Sequence, residues 1–509
     1  MSQTLEGRVT AAQRLHDPYL ELPFDVPEGA AAIELSYRHD AGSVLDLGLF
    51  DPDVGAFPSL EGFRGWSGGA RSRVMVTADR ATPGYLPGPL KPGRWRVVLG
   101  LAAVAPGGCN YRVEVCVHSS TPAAVPGLDD RHDEPLVKEA GAEHDRSAAA
   151  GPRWYPADLQ SHSHHSDARG SLLDLRAAAL ARQLEVLSVT DHNTVSHHQP
   201  MTALACPELL WLPGTEVTTY RGHANVWGVQ GWVDFRVRSQ ADLETLVEHV
   251  HERGGIFSVN HPKRSPGCIG CDWEYRVPAH IDCLEAWQGP WWLRNWESLE
   301  RYDDLLREGR RLTLVGGSDR HQPEGPDRDP DEVRLGSPTT WLWLEERSGA
   351  AVLEALRAGR ASVSEQPSGP FLEVEVLPAE PDAPGSRPKS VPGAAVSGGD
   401  ELRATVLGAV GERLRWIGAG GVLRERRVDA ERFEDTWRPT RVGPFVRAEV
   451  VAEASLAARK ARLVELAKGR DLPLGVTVEE PFGEPYRLAL ANPVYFEDRA
   501  GGALTAERP

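Results

Sequence analysis

Between Trp154 and Ser368 the chain alternates short apolar runs with amphipathic stretches, and the first six of the seven runs carry histidine, aspartate or glutamate near or just past their ends. The runs are Ala157–His162, Val186–Asp191, Leu209–Thr215, Ile256–Asn260, Ile281–Trp287, Leu312–Ser318 and Thr339–Leu344. Between several of them lie Leu172–Leu184, Ala241–Arg253, Trp296–Gly309 and Gly349–Arg357. Short apolar runs fit buried strands, and the longer stretches fit helices with one apolar face. Strands alternating with helices build parallel sheets, because a crossover helix returns the chain to the end from which it started. The expectation is an α/β fold, a (β/α) barrel or a related parallel sheet, over residues 154–368.

The flanks read differently. Residues 1–118 carry alternating runs such as AAIELSYRH and YRVEVCV between Gly and Pro, the pattern of an antiparallel β-sandwich. A polar, Pro/Ala-rich linker is expected over 119–153. Residues 369–509 open with a Pro/Gly-rich stretch and return to strand signals in LRATV and YRLALANPVYF, with a helical insertion near Leu456–Lys468. They read as a β-rich, sandwich-like domain. A chain of 509 residues is too long for one core, so several domains are expected. Its formal charge of -17 argues against a nucleic-acid or anionic-membrane binder. The amino terminus has no signal-peptide pattern, and the longest apolar run, Val97–Ala105, is too short to cross a bilayer, so a soluble cytoplasmic protein is expected. Six cysteines are too sparse for a disulfide framework. Cys268 and Cys271 form a CxxC followed by His280 and Cys283, open to three readings: a zinc knuckle, a redox pair, or ordinary loop and core cysteines.

Chemistry concentrates at the run ends. The first gives Asp158, Gln160 and His162, which strand alternation would point to one face, then Asp167. The second gives Asp191-His192, the third Glu216 with His223 seven residues on, the fourth His261, the fifth Glu285, and the sixth Asp319-Arg-His321. In a (β/α) barrel, functional groups gather at the carboxyl ends of the strands. A lone histidine at a strand end is ordinarily a hydrogen-bonded structural residue, but six successive ends in agreement point to a metal centre. Imidazole nitrogens and carboxylates together suit zinc, manganese or iron, and so many donors imply two to three divalent ions.

These same segments resemble a known superfamily. DLQSHSHHSDA is similar to the first motif of the polymerase and histidinol phosphatase (PHP) superfamily, D-L-H-x-H-[ST]-x-x-S-D-G, and TDHNT, NHP and GSDRH are similar to its later motifs. GTEVTTYRGHANVWG, LEAWQG, LGSPTTWLWL and LRAGRASVS resemble the CehA/McbA-type metallohydrolases. The resemblance implies a distorted seven-stranded (β/α) barrel with up to three metals. By matching position, His162, Glu216 and Asp319 would hold one ion. His261 and His223 would hold a second, bridged by Glu216, and Asp167, His192 and His321 a third. Asp191 and Glu285 would orient ligands or face the substrate. Gln160 stands where the family has its first histidine and would be a neutral, weaker ligand through its carbonyl oxygen; Ala168 replaces a glycine.

The expected activity is hydrolysis of a small, anionic ester by a metal-activated water, with Asp191, His192, Glu285 and His321 as catalytic candidates. A phosphomono- or diester is favoured, with carboxylester or carbamate hydrolysis as the alternative. Lys263, Arg264 and Arg320 are candidate anion clamps; solvated loop charge is the plain reading of each. Trp287, Trp291, Trp292 and Trp296 read equally as a pocket wall or as core. His164, His165, His197, His198, His249 and His251 fall outside the matched positions and read as structural. A reading from another class is a non-catalytic barrel whose β-domains bind a partner, which the Gln160 substitution keeps open. No GxSxG elbow, P-loop or dinucleotide fingerprint stands in a suitable context.

Overall fold

Alternation of buried and exposed residues builds the first region. The computed structural model describes residues 1–127, 151–322, 333–379, 393, 395–396, 399–440 and 443–496, so most of the expected linker lies outside the described residues. The elements are β1 (Ser2–Val9), α1 (Ala11–His16), β2 (Tyr19–Val26), β3 (Ala32–His39), β4 (Val44–Phe50), β5 (Phe63–Gly68), β6 (Arg73–Thr77), β7 (Gly93–Ala103) and β8 (Cys109–His118). In β8, Cys109, Tyr111, Val113, Val115 and Val117 are buried while Asn110 and Glu114 are exposed, as period two requires. Two four-stranded antiparallel sheets, β1-β8-β3-β6 and β2-β7-β4-β5, share one apolar core.

The central region contains β9 (Arg153–Asp158), α2 (Leu172–Ala181), β10 (Val186–Val189), α3 (His198–Ala203), β11 (Leu210–Thr219), β12 (Gly222–Trp227), α4 (Gln240–Glu252), β13 (Ile256–Val259), β14 (Cys283–Gln288), α5 (Asn295–Arg307), β15 (Thr313–Gly317), β16 (Thr339–Leu344) and α6 (Gly349–Arg357). Capping boxes at Ser171 with Asp174 and at Ser239 with Asp242 start α2 and α4 by satisfying first-turn N–H groups. The pairs β9–β10, β10–β11, β13–β14 and β14–β15 are parallel. The strand β12, absent from the sequence reading, lies antiparallel between β11 and β13 and restores the common direction. Six strands therefore release the chain on one side of the sheet. The seventh expected strand, β16, pairs antiparallel with β9. Beyond the strand ends, Ser161 and Arg320 form a parallel bridge, and Asp319 N–H donates to Gln160 O at 3.0 Å.

The remaining elements are β17 (Ala361–Ser364), β18 (Phe371–Leu377), β19 (Ala395–Val396), β20 (Glu401–Leu407), β21 (Arg413–Gly418), β22 (Gly421–Arg427), β23 (Arg432–Trp437), β24 (Phe445–Val451), α7 (Leu456–Leu466), β25 (Arg487–Ala491) and β26 (Val494–Phe496). Through β16-β17-β25 the central sheet continues into this region, giving one fifteen-stranded sheet, while β18-β20-β23 stand apart. The molecule is thus mixed α/β and mostly sheet, with few helices. Asn492, fully buried, fastens the join: it donates to Leu314 O at 2.9 Å and Ala361 O at 3.0 Å and accepts from Leu314 N at 2.7 Å. The first region docks equally firmly. Tyr19, Phe50, Phe63 and Trp66 share a core with Trp232 and Phe235, and Phe63 stacks on Trp232 at 5.0 Å. No helix among the described residues is long and apolar enough to cross a membrane.

Candidate metal centre

Five imidazoles and three carboxylates converge where the six strands end. Glu216, on β11, lies at their middle and is fully buried. Its Oε1 faces His223 Nδ1 at 3.3 Å and His261 Nε2 at 3.5 Å; its Oε2 faces His162 Nε2 at 3.3 Å and His192 Nδ1 at 3.1 Å. His162 Nε2 also lies 2.8 Å from Asp319 Oδ1. Towards solvent, Asp167 Oδ1 stands 3.6 Å from His192 Nε2 and 3.4 Å from His321 Nε2. Three groups result, each with donor atoms within 4.8 Å of one another: His162, Glu216 and Asp319; Glu216, His223 and His261; and His162, Asp167, His192 and His321. The second is buried throughout and the first but for a partly exposed Asp319, whereas the Asp167 side chain is 50% exposed.

Buried polar atoms test whether this set suits cations. Both nitrogens of His162, Nε2 of His223, Oε2 of Glu216 and Oε1 of Gln160 are buried without a hydrogen-bond partner. Nitrogens and carboxylate oxygens here approach each other without hydrogen-bond geometry. Leaving so many such groups unsatisfied is costly unless a cation lies among them. The mixed N/O set suits manganese, iron or zinc. Two of the converging residues, His261 with φ 29° and Asp319 with φ 52°, have left-handed backbone, a strained state for non-glycine residues that concentrates at functional sites.

Charge in the metal-free chain follows from burial and proximity. Burial alone would raise Glu216, but His192, His162 and His223 overrule it and hold the carboxylate well below its ordinary range. The same contest, with His321 and His162 as the opposing charges, keeps Asp319 ionised. Burial pushes His223 down, so it is a neutral donor. Glu285 goes the other way: burial, with Asp319 and Glu216 nearby, holds it well above the ordinary carboxyl value.

Other sequence candidates sit elsewhere. The strand β9 stops at Asp158, so alternation does not carry to Gln160 and His162; Asp158 instead accepts from Gly336 N at 2.7 Å and Ser318 N at 3.1 Å. Gln160 presents its amide nitrogen, not its carbonyl, to the carboxylates, at 3.2 Å from Glu216 Oε1 and 3.3 Å from Asp319 Oδ1. It therefore stands as a donor that steadies two ligands, alongside Asn260 (2.9 Å to Glu216) and Gln288 (2.7 Å to Asp319). Asp191 is turned from the cluster and accepts from Ser163 N, Ser163 Oγ and Ser166 Oγ, so it shapes the loop carrying Asp167. Glu285 is buried and accepts from His261 N at 3.0 Å. The close packing here needs Gly317, where a Cβ would lie 2.5 Å from Gln160 Cβ and 2.9 Å from Glu285 Oε1.

None of the three candidate anion clamps lines the cavity over the cluster. Lys263 is buried, donates to Asn295 Oδ1 at 2.8 Å and is pushed down to about 7 by burial. Arg264 is paired with Glu297, and the buried Arg320 donates to Val333 O. Trp287, Trp291 and Trp292 are buried and leave this cavity unlined. Cys268 and Cys271 form a disulfide at its rim, and Cys283 is buried in β14.

The cavity, about 410 Å³, is walled by all three regions: Asp46 and Trp66 from the sandwich, His192, His321 and Gln288 from the centre, and Leu474 from the carboxyl-terminal region. Sequence reasoning missed the sandwich residues, since only docking brings them here. Gln288 carried a signal, closing the run LEAWQ at a strand end.

No protein-family model matches the sequence, and comparison with curated proteins finds no match. Among solved structures, the chain is similar to a two-domain protein from Bacteroides vulgatus containing a predicted PHP-like metal-dependent phosphoesterase (18% identity, TM-score 0.36, covering 59% of this chain and 91% of that one). It is also similar to a putative metal-dependent phosphoesterase from Bifidobacterium adolescentis (16%, TM-score 0.26, 39% and 95%). A third is an amidohydrolase from Chromobacterium violaceum with bound sulfate and no metal (15%, TM-score 0.24, 33% and 88%). At these scores the likeness assigns nothing by itself.

Proposed function

We propose that this chain is a metal-dependent hydrolase that cleaves an ester, most favourably a phosphoester, with water activated at the cluster centred on Glu216. One observation carries this reading: three donor groups are linked, two through Glu216 and two through His162, with buried donor atoms facing each other unpaired. When bound, divalent ions lower the pKa of a coordinated water toward neutrality and offset negative charge on the reacting group. His162, Glu216 and Asp319 would hold one ion, His223 and His261 with Glu216 a second, and Asp167, His192 and His321 a third at the cavity floor. Asn260, Gln160 and Gln288 donate to the carboxylates and fix their orientation. His261 N–H is held by Glu285, whose carboxyl is held well above its ordinary range by burial. His192 and His321, which line the cavity, are placed to hand a proton to the departing oxygen where they are not ligated.

The motif resemblance to CehA/McbA-type enzymes supports the same reading, and the Ser161–Arg320 bridge supports a distorted barrel whose first and sixth strand ends meet. A carboxylester or carbamate is the second reading, favoured by the lack of any lysine or arginine lining the cavity among the described residues. Elemental analysis of the purified chain, with assays of aryl phosphate mono- and diesters, aryl esters and aryl carbamates under manganese, iron or zinc, tests both. At least two ions per chain and turnover of one ester class are expected. Protein that binds no metal, or is inactive on every class under each loading, would overturn the hydrolase reading in favour of a binding role.

A further inference from the structure

The cavity wall contributed by the sandwich carries two polar atoms without hydrogen-bond partners among the described residues. Asp46, at the start of β4, and Trp66, on β5, both line the cavity. Tyr220, in the turn between β11 and β12, donates its hydroxyl to Asp46 Oδ2 at 2.6 Å and so fixes the carboxylate plane. The other oxygen, Oδ1, has no hydrogen-bond partner among the described residues. Trp66 is only 2% exposed, its ring packed against Phe235 at 4.5 Å, and its Nε1 faces the cavity with no acceptor among the described residues. Both atoms border the space beside Gly68, where a methyl group would stand 3.7 Å from Asp46 Oδ1 and 3.8 Å from Trp66 Nε1 without touching anything closer. Burial pushes Asp46 up to about 6, so above that pH Oδ1 is an ionised acceptor.

Both atoms are open to the cavity, one an acceptor and one a donor, and the pair defines what suits it. An anion is repelled by Asp46, and among the described residues no lysine or arginine lines the cavity in compensation. An ammonium would pair with Asp46 but leave the indole N–H unmet. A hydroxyl group donates to one and accepts from the other. We propose that Asp46 and Trp66 form a hydroxyl-binding subsite, and that the substrate is an ester of a hydroxylated alcohol of the sugar or polyol type. The inference rests on the phosphoester reading for the part of the substrate at the cluster, and adds which alcohol that ester carries. It also gives the sandwich a role in substrate choice.

The test uses two ligands that share a six-membered ring and a phosphorus group but differ in hydroxyls: the non-hydrolysable phosphonate analogues of a hexose 1-phosphate and of cyclohexyl phosphate. Calorimetry on manganese-loaded full-length protein is expected to show the hydroxylated ligand binding at least about tenfold more tightly, the effect of one well-made hydrogen-bonded contact. In Asp46→Ala and Trp66→Phe the ratio is expected to fall toward one. Asp46→Asn, nearly isosteric, checks the same ratio should the other variants fold poorly. Equal affinity in the wild type, no binding of either ligand, or a ratio that survives all three substitutions would overturn the subsite. Assays of the two phosphate esters separate the claims. A selective binder that hydrolyses neither ester retains the subsite and loses the phosphoester reading; hydrolysis of both with equal kcat/KM does the reverse.

Discussion

Glu216 touches four imidazoles, two through each oxygen, and joins two of the three donor groups. Glu216→Gln keeps the shape but removes the charge, and is expected to carry at least one ion fewer per chain by elemental analysis and to lose roughly 100-fold or more in hydrolysis. Full metal content in that variant would sink the site. A second residue-scale consequence lies just behind the cluster. Burial pushes His197 down to about 3 against the pull of Asp191, and its Nε2 contacts Val189 O and Gly214 O at 3.1 and 3.0 Å. The unfolded chain protonates this histidine near its ordinary value while the folded chain resists until about pH 3, so stability falls as pH drops between those values. Urea unfolding should show a decline of up to about 1.4 kcal/mol per pH unit from this residue between pH 6 and 5, absent in His197→Gln; identical slopes would refute it. Residue types were readable from the strand ends, but side-chain direction was not. Lys263, Arg320 and Gln160 follow strands in irregular loops, where no fixed period links sequence position to facing.

At the scale of elements, the centre depends on six strands running in one direction, and on β15 being held at its free edge. Asn492 supplies that hold by satisfying both Leu314 backbone groups. Asn492→Leu would leave them buried and unpaired, with an expected loss of about 2–5 kcal/mol of stability, together with weaker metal retention, because β15 leads directly to Asp319. Chemical denaturation and metal titration check this; a variant as stable as the wild type would show that the join does not depend on this residue. The strand β12 explains a limit of sequence reading. Its residues, Gly222–Trp227, are all buried and include His223 and Asn225, so no alternation marks a strand, yet hydrogen bonding to both neighbours makes it one. The antiparallel β16 was equally hidden, because a buried apolar run is the same whichever way its neighbour runs.

For the whole molecule, the apolar seams joining the sandwich, the central sheet and the carboxyl-terminal strands are continuous, so the three regions are expected to unfold together. Differential scanning calorimetry should give one transition, raised by manganese or zinc through preferential binding to the folded chain; a separate, metal-insensitive transition for the sandwich would contradict that coupling. The sequence by itself determined the class of strands, the donor types and their order along the chain, because period and residue chemistry are local properties. It also marked His261 and Asp319 as groups just past strand ends, whereas Glu216 lies within β11. Only the tertiary structure decided that Gln160 turns its amide nitrogen to the two carboxylates, that Lys263, Arg264 and Arg320 do not line the cavity, and that Asp46 and Trp66 belong to its wall. Those outcomes depend on how loops turn and how separate sheets dock, interactions between residues far apart in the chain that no local pattern records.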